Sequence, residues 1–569
     1  MRIGRYIPIV DKLKQYTVAD LKSDFFAGLT LGVLLIPQGM AYAVLAGLPP
    51  VYGLYASVIP VFIYAIFGTS PSLSVGPAAL LSLLILAGIS PIAQPGSVEY
   101  ISLAIQLAFL VGVIRLLLGL FKMGFMVNFI SNPVISGFTS AAAIIIAVSQ
   151  FKNLLGIKLQ SGGGVVEVFM ALFAHVHEIH LPTVIFGVSA ILLMFFFKIL
   201  HKSIPGPLIT MILGTVVMYL FHAYETGISI TGRVPVGWPE FKLPVFELAS
   251  MRQLIPVAFT IALIGFMESV AVSRAIQSKR KTYKVNPNQE LLALGLSGIV
   301  GSFFQAFPTT GSFSRTVINH DAGARSTLSA VFGSILVLIT LLFLTPLFYY
   351  LPATVLSAII IMAVKNLIDL KEPLRLWHAD RRDFYMLMVT FIVTLGFGII
   401  TGLVTGVLVS ITMMVFRTSY PHYAVLGRLE GTTYFRNVLR FKKALQRPDM
   451  LVIRYDSQLY FGNANYFRDT ILRHVHMKGK ELKIFVLNAE AINAIDSTGL
   501  EVLAELHEEL RARDIMFYLS GVKGPVRDVL ARNGLMEKIG KENFFIHTVE
   551  AVEKFEEQVD DISKKTIHS

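Results

Sequence analysis

Apolar stretches long enough to cross a lipid bilayer recur along most of this chain, from residue 25 to residue 417. A helix needs about 20 apolar residues to span the hydrocarbon core, so each long run predicts a membrane-spanning segment. The sequence predicts fourteen candidate spans, several of them short or interrupted: 25–48, 52–68, 73–90, 99–121, 132–150, 182–200, 204–222, 252–277, 291–306, 312–320, 326–350, 352–368, 383–400 and 401–417. An even number of spans places both ends of the chain on the same side of the membrane.

Charged residues divide the chain into two parts. Residues 1–429 hold 28 Lys/Arg and 16 Asp/Glu, whereas the much shorter stretch 430–569 holds 21 of each. Soluble domains carry roughly 25% charged residues, so we expect the first part to lie in the membrane and the second to be soluble. The whole net charge of +12 falls in the membrane part, which favours membrane topology over nucleic-acid binding as its cause. The absence of cysteine excludes disulfides, thiolate metal sites and cysteine nucleophiles.

The charge of the predicted loops indicates how the chain threads the membrane. The stretch 365–382 holds five Lys/Arg, while 223–250 holds only Arg233 and Lys242 against three Glu. The positive-inside rule then places 365–382 and both termini in the cytoplasm. The N-terminus is charged and lacks the apolar core of a signal peptide. We therefore expect a multi-pass protein of the plasma membrane whose first span is retained.

Two segments interrupt the pattern of continuous apolar helices. These are GTSPSLSVGPAALLS (68–82) and QAFPTTGSFSRTVINHDAGARS (305–326), and each has a proline, then small and polar residues, then a helix-compatible run. Irregular backbone at membrane depth survives only where it is buried in protein or lines a cavity. A pair of interrupted segments in two halves of a membrane protein points to a transporter's binding site.

The two halves of the membrane part resemble each other weakly. IPQGMAYAVLAG (36–47) aligns with FMESVAVSRAIQ (266–277), which places Gln38 opposite Glu268, and an interrupted segment follows in each half. Since each half holds seven predicted spans, an odd number, the repeat is expected to be inverted.

Three ionisable side chains are predicted to lie deep in the membrane: Arg115, Glu268 and Arg315. Such residues are costly there and mark functional sites by default. Arg115 also has a structural explanation, because it can snorkel to the interface or brace another helix. Glu268 has no charge within a helical turn, and desolvation opposes its charged form. We expect Glu268 to gain and lose a proton as a proton-coupling residue; the alternative is permanent pairing with Arg315.

Arg315 directly follows Gly311-Ser312-Phe313-Ser314, where a half-helix is predicted to begin. The free N–H groups and the dipole of a helix N-terminus bind anions, and the first interrupted segment offers the same features. Two such N-termini facing each other would form an anion site. Its predicted contributors are Gln38, Tyr42, Ser74, Val75, Gly76, Ser312, Phe313, Ser314 and Arg315. The alternative explanation is that these small residues only permit tight helix packing, but that explanation does not account for Arg315.

Residues 450–555 alternate strand-like and helix-like pieces and predict a small α/β domain. Asp496-Ser497-Thr498-Gly499 lies between a strand and a helix, so Ser497 is expected first of all as a helix N-cap. It is also a candidate regulatory phosphorylation site, since added charge at a helix N-terminus can create or break docking. The tail holds no nucleophile–base pair and no phosphate-loop motif, so we expect it not to be an enzyme.

Four stretches resemble the SulP family of anion transporters: AGLTLGVLLIPQGMAYAVLAGLPPVYGLYAS (27–57), GTSPSLSVGPAALLS (68–82), GSFSRTVINHDAGARS (311–326) and NAIDSTGLEVL (493–503). The resemblance runs nearly the whole length of the chain. It implies an α-helical polytopic membrane protein of fourteen segments in seven-plus-seven inverted repeats, split into a core and a gate domain, with a cytoplasmic α/β STAS domain. It also implies a homodimer that moves anions by an elevator-like motion.

The resemblance further implies where the substrate binds. It places the anion between the third and tenth segments, here at Ser74–Ala78 and Ser312–Arg315, with Gln38 and Tyr42 from the first segment. It matches Glu268 with an acid linked to proton coupling in sulfate-type members, whereas sodium-coupled bicarbonate members tend to have Asp in this region. Ala78 occupies a position that is aromatic in some animal relatives, so a roomier pocket is expected here.

Together these observations predict a secondary active transporter, not an enzyme, that imports an inorganic oxyanion, sulfate, by proton symport. The alternatives are a sodium-coupled bicarbonate symporter, a C4-dicarboxylate carrier, a chloride/anion exchanger and, in a different class, an anion channel or a sensor acting through the STAS domain. No cofactor or metal is expected; the coupling ion is the proton, with sodium as the alternative. Expected partners are the lipid bilayer, a second copy of the chain and a cytoplasmic protein at the STAS domain, but no nucleic acid.

The predicted division of the chain follows the composition: a cytoplasmic N-terminus, a transmembrane domain, a linker, the STAS domain and a tail. Their boundaries are 1–24, 25–420, 421–448, 449–557 and 558–569.

Overall fold

The computed structural model describes the following residues of the chain: 7–128, 131–157, 165–200, 204–280 and 283–567. The first six residues of the predicted N-terminal segment and the last two of the predicted tail lie outside these ranges. The chain forms two compact units, Met1–Ser410 and Ile411–Ser569. The boundary between them lies close to the predicted end of the membrane part at residue 420.

Helices build the first unit, and their bounds follow the apolar runs of the sequence. Its first half contains α1 (Pro8–Leu13), α2 (Val18–Leu45), α3 (Val51–Tyr55), α4 (Ile59–Phe67), α5 (Ala79–Ile89), α6 (Val98–Leu120), α7 (Asn132–Ser149), α8 (Phe151–Leu155), α9 (Val165–Ala174), α10 (Leu181–Leu200) and α11 (Gly206–Leu220). Its second half contains α12 (Leu248–Arg280), α13 (Pro287–Phe303), α14 (Phe313–Asp321), α15 (Leu328–Ile339), α16 (Ala353–Val364), α17 (Lys371–Ala379), α18 (Arg381–Phe397) and α19 (Ile399–Ser419). Single turns of other helix types lie at Met123–Asn128, Val176–Glu178, Ala223–Thr226, Thr340–Leu344, Thr345–Phe348 and Lys365–Leu367.

Each of the fourteen predicted spans coincides with one of these helices or with an interrupted helical segment. Within the described ranges, seven helices are long and apolar enough to cross a membrane: Val18–Leu45, Val98–Leu120, Asn132–Leu155, Leu181–Leu200, Leu248–Ser278, Leu328–Phe348 and Ile399–Ser419. The remaining spans are shorter or less apolar. The prediction of an α-helical polytopic membrane protein is confirmed.

The helices of the first unit pack as two groups. The first helix group consists of α2–α6 and α12–α15, and the second consists of α7, α8, α10, α11, α16 and α18. Helix α19 joins the second group, since its Gly406 lies against α7 and α18. Along the chain, each half sends its first four segments to the first group and its next three to the second. This repeated order is what two sets of seven segments would produce.

Two very short strands interrupt the helices of the first group. Strand β1 (Val75–Gly76) pairs antiparallel with β2 (Thr310–Gly311). The ladder continues one residue further, where the Ser312 N–H donates to the Ser74 carbonyl over 3.0 Å. Away from water every backbone polar group needs a partner, and this pairing supplies partners where the helices are broken. It also brings together the beginnings of α5 and α14, which follow the two strands.

Glycines allow α2 and α3 to approach each other closely. A Cβ atom at Gly53 would collide with the carbonyl oxygen of Gly39, whereas a Cβ atom at Gly396 on α18 would meet nothing within 4 Å. We expect Gly53→Ala to destabilise the protein by about 1–3 kcal/mol, the usual cost of overpacking. Gly396→Ala, the matched control, should leave thermal unfolding unchanged or raise its midpoint, because alanine favours helix. Equal unfolding midpoints for the two purified variants would contradict this.

The second unit is an α/β domain built on one sheet. Its strands are β3 (Tyr423–Leu429), β4 (Phe435–Asn437), β5 (Ala444–Leu445), β6 (Met450–Tyr455), β7 (Ile484–Asn488), β8 (Met516–Ser520) and β9 (Phe544–Phe545). They lie in the order β4-β3-β6-β7-β8-β9, with β5 also paired to β3; β6 to β9 run parallel and β3 is antiparallel to β6. The helices are α20 (Ala464–Lys478), α21 (Ser497–Arg511), α22 (Gly524–Arg532), α23 (Leu535–Ile539) and α24 (Thr548–Ile567), with further turns at Gly479–Glu481 and Lys541–Asn543.

The two faces of this sheet carry separate apolar cores. Side chains alternate across a strand, so Leu451 and Ile453 of β6 belong to the core formed with α20–α23. Met450 and Val452 belong to the other core, in which Phe555 of α24 is buried. The predicted α/β domain is thus confirmed, with helices on both faces of its sheet.

Three expectations for this region are corrected by the structure. The segment 421–448 is not a linker, because it contains β3, β4 and β5, and β3 is the antiparallel neighbour of the buried strand β6. The stretch 558–569 does not begin a separate tail, because α24 continues to Ile567. The N-cap of α21 is Asp496, which accepts the Gly499 N–H over 2.8 Å, and Ser497 is the exposed first residue of that helix.

Candidate functional site

A cavity of about 310 Å³ lies between the two helix groups of the first unit. The first group lines it with Tyr42, Ala78, Ala79, Leu80, Glu268, Ser312, Phe313, Ser314, Val317 and Ile318. The second group, with the turn that follows α16, contributes Thr139, Ala142, Ala143, Ile146, Ala363 and Leu367. Polar groups therefore come almost entirely from the first group, and the opposite wall is mostly apolar.

Two helices begin at this cavity with uncapped N-termini. Their N-cap residues, Ala78 before α5 and Ser312 before α14, have extended backbone and make no side-chain capping bond. In α5 the first backbone N–H that donates within the helix is that of Ser82, to the Ala78 carbonyl over 2.9 Å. In α14 it is that of Thr316, to the Ser312 carbonyl over 3.0 Å. The three N–H groups that precede each donor lack an intrahelical acceptor. Such paired N-termini attract an anion through free N–H groups and helix dipoles.

Arg315 lies in the first turn of α14 with its side chain fully buried. Its Nε donates to the Ser74 hydroxyl over 3.3 Å, and among the described residues its Nη1 and Nη2 have no hydrogen-bond partner. A Cβ atom added at Gly76 would lie 3.4 Å from Nη2, so the guanidinium packs against the backbone of β1. Gly76 has φ of +152°, which residues with a side chain rarely adopt. A buried cation with unused donors is suited to an anion.

Glu268 of α12 lines the same cavity. Its Oε2 is buried and has no hydrogen-bond partner among the residues that the structure describes. The positive charges acting on it are those of Arg315 and Arg115, but no ion pair within 4 Å joins it to either described arginine. The permanent Glu268–Arg315 pair considered as an alternative is therefore not formed.

Strand β2 is attached to α12 beside Glu268. The Thr310 hydroxyl donates to the Gly265 carbonyl over 2.6 Å, and the Gly311 N–H donates to the Ser269 hydroxyl over 2.9 Å. These bonds hold the strand that leads into α14 against the helix that carries the carboxyl. Neither Ser269 nor Thr310 was among the predicted site residues, because a Ser or Thr within an apolar run gives no local sign of its partner.

The predicted residues divide into two sets. Tyr42, Ala78, Glu268, Ser312, Phe313 and Ser314 line the cavity. Gln38, Ser74, Val75, Gly76 and Arg315 do not line it and are buried nearby or within the strand pair. Phe313 is 50% exposed, so packing does not explain it. The wall from α7 and α16 was missed, since small apolar residues on ordinary helices carry no signal for a site.

Arg115 braces other segments and does not snorkel. Its side chain is buried in α6 and donates to the backbone carbonyls of Ile261, Ala262 and Thr309. Of the two structural explanations, bracing is the one that forms, because the guanidinium turns into the protein, where carbonyl oxygens satisfy it.

Two broken segments whose half-helices meet at a cavity beside a buried cation, in a polytopic membrane unit, are the arrangement expected of an anion transporter. The profile of the Sulfate permease family matches residues 21–390, and that of the STAS domain matches residues 441–554. The chain belongs to the sulfate permease family, and is an anion transporter and not an enzyme.

Known proteins resemble the chain over nearly its full length. Sulfate transporter 4.1, chloroplastic, of Arabidopsis thaliana is 38% identical over 550 residues, covering 94% of this chain and 80% of the relative. High affinity sulfate transporter 2 of Stylosanthes hamata is 34% identical over 566 residues, covering 96% and 85%. The murine Solute Carrier 26 family member A9 anion transporter in its inward-facing state is 26% identical with a TM-score of 0.89, covering 97% of this chain and 94% of that chain.

The fold is shared more widely. The transmembrane domain of a cyanobacterium bicarbonate transporter is 23% identical, with a TM-score of 0.60 over 70% of this chain and 98% of that chain. At that identity the likeness concerns the fold alone. The predicted family and fold class are confirmed.

Proposed function

We propose that this protein imports an inorganic oxyanion, sulfate, by proton symport. The observation that carries the proposal is the unused donors of Arg315 beside two uncapped helix N-termini, at a cavity lined by Glu268. The donors suit an anion, and the carboxyl can supply the coupling proton. The relatives named as sulfate transporters support sulfate as the substrate.

The energetics of import favour coupling. Moving a charge against 100 mV costs about 2.3 kcal/mol, so importing a dianion into a cell at −100 mV costs about 4.6 kcal/mol. A proton on Glu268 cancels one of the two charges. A second proton or a counter-anion must balance the other. The buried carboxyl at the cavity makes proton symport the simplest arrangement that these residues can support.

The position of the cavity supports an elevator-like alternating-access motion. All of the anion-binding candidates and Glu268 belong to the first helix group, so this group can carry the anion past the mostly apolar wall of the second. We further propose a homodimer in the plasma membrane with both termini in the cytoplasm. Within the site, Tyr42 of α2 lines the cavity, and Gln38, one helical turn earlier, is buried nearby. The exposed Ser497 remains a candidate phosphorylation site, and we propose that a cytoplasmic protein binds at the STAS domain.

Glu268→Gln should uncouple uptake from the proton gradient. Wild-type protein in liposomes should take up radiolabelled sulfate faster with an inward proton gradient. The variant should lose this stimulation, because a glutamine side chain cannot bind and release a proton. The matched control is Glu290→Gln. Glu290 is also buried, but its oxygens accept from Tyr64 and Thr69, and it does not line the cavity. Its variant should keep the gradient dependence.

The same assay separates the other transport modes. If Glu268→Gln responded to the gradient as wild type does, the coupling role would be wrong. Replacing sodium by choline should leave sulfate uptake unchanged; a loss would favour sodium over the proton as the coupling ion. Excess succinate should not compete with sulfate, and large currents without counter-transport should not appear, because those results would favour a dicarboxylate carrier or a channel.

A further inference from the structure

Arg115 is a buried cation whose partners are all backbone carbonyls. It lies in α6 with 1% of its surface exposed. Nη1 donates to Thr309 over 2.8 Å, while Nε and Nη2 donate to Ala262 and Ile261, each over 3.2 Å. No ion pair joins it to a carboxylate among the described residues. A charged side chain held this way inside a membrane protein is expensive, so its role calls for an explanation.

The bonds of Arg115 connect three parts of the first helix group. Ile261 and Ala262 belong to α12, the helix of Glu268, and Thr309 directly precedes β2. The guanidinium lies in a slot at Gly265, where a Cβ atom would collide with Nη2 and approach the Thr310 hydroxyl to 3.0 Å. The slot thus depends on glycine at this position of α12.

Arg115 makes the first of three consecutive hydrogen-bonded links, here called ties, between the β2 region and α12. After Thr309, Thr310 bonds to Gly265 and Gly311 bonds to Ser269. The next residue is Ser312, the N-cap of α14. The ties therefore end where the anion-binding N-terminus begins, and on α12 they end beside Glu268.

We propose that Arg115 is a positioning residue for transport. It holds the N-terminus of α14 at a fixed place relative to Glu268, so that the anion donors and the proton carrier act on one cavity. The inference rests on the proposed function, because Arg115 lies outside the proposed anion site and is inferred to hold the parts of that site in position. Arg115 does not line the cavity, and its effect on the anion passes through Thr309 and β2.

Three variants test the positioning role by the KM and maximal rate of sulfate uptake in liposomes. Arg115→Met should raise KM at least about tenfold, since a misplacement of 1 Å can cost roughly 100-fold. Gly265→Ala should raise KM in the same direction, because it displaces the guanidinium yet keeps its charge and favours helix. Arg115→Lys should recover part of the affinity, because its ammonium can reach some of the carbonyls.

Gln106→Met is the matched control. Gln106 is buried in the same helix, and its Oε1 has no hydrogen-bond partner in the part of the chain that the structure describes. Its variant should keep KM within about twofold, since little beyond packing is changed. Sulfate-dependent stabilisation of the purified variants against heat measures binding separately from transport.

The outcomes separate the positioning role from the proposed function. If wild type neither bound nor imported sulfate, the proposed function would fall. If wild type imported sulfate and Arg115→Met kept its KM, only the positioning role would be overturned. A raised KM in Arg115→Met with an unchanged KM in Gly265→Ala would also overturn it, because charge and not position would then decide. If Arg115→Met did not fold, the KM values of Gly265→Ala and Arg115→Lys would test the positioning role by the same criterion.

Discussion

Arg315→Met is expected to lower sulfate uptake on the order of 100-fold, because truncating one partner of a buried, charged contact costs 2–5 kcal/mol or more. The loss should appear in the sulfate KM and in sulfate-dependent thermal stabilisation, since the buried charge of Arg315, with unused Nη1 and Nη2 donors, lies next to Ser314 of the cavity wall and attracts an anion there. The protein should still fold, because among the described residues the side chain of Arg315 makes a single hydrogen bond, to Ser74. Radiolabelled uptake by purified protein in liposomes measures the effect.

Two further variants show what in Arg315 matters. Arg315→Lys should retain part of the activity, because lysine keeps the charge but loses the planar fork of donors. Arg325→Met is the matched control: Arg325 is partly exposed and pairs with Asp20 over 3.1 Å, outside the cavity. It should change uptake by less than about twofold, as expected for an exposed ion pair. An unchanged KM in Arg315→Met would exclude a role in binding.

The fold of the membrane part could be predicted because its signals are local. Apolar runs set the helices, and the breaks at 68–82 and 305–326 became β1–α5 and β2–α14. Proline, glycine and serine mark such breaks whatever the rest of the fold does, since they act on the nearby backbone. Glu268 and Arg315 stood out for a similar reason, because charge in an apolar segment is rare.

The features that were missed depend on contacts between distant parts of the chain. Which of its two predicted directions Arg115 takes is set by carbonyls of α12 and of Thr309, which precedes β2, and α6 carries no information about them. The local sequence predicts β3 as part of a linker because its partner β6 lies beyond a turn and two short strands. The cavity wall from α7 is made of Thr139 with alanine and isoleucine, residue types that also occur where a helix faces lipid. In each case tertiary packing decides, and the local sequence does not.

The site also shows why a strong local pattern does not give the direction of each side chain. Ser74, Val75 and Gly76 were predicted to touch the anion, but they form the strand pair and support Arg315. Ala78 and Ser312, the N-cap residues of α5 and α14, reach the cavity. The pattern therefore located the segment more accurately than it located the contacts.

Ala78→Asp should abolish sulfate uptake by placing a negative charge where the anion is expected to bind. Ala78 is the N-cap of α5 and lines the cavity. Aspartate is a preferred N-cap whose carboxylate accepts the free N–H groups of the first turn. It would occupy one of the two helix N-termini and repel the substrate. Like charges brought together cost several kcal/mol, so we expect a loss of more than about 100-fold in uptake.

Two substitutions of similar size separate charge from shape at the same position. Ala78→Asn caps the helix without adding charge and should lower uptake about tenfold, as loss of one or two hydrogen bonds would. Ala78→Val adds volume without a polar group and should reduce uptake by no more than a few fold, since the cavity of about 310 Å³ has room for two methyl groups. If valine lowered uptake as strongly as aspartate, filled space would explain the loss. The free N–H groups of α5 would then not be the part of the protein that holds the anion.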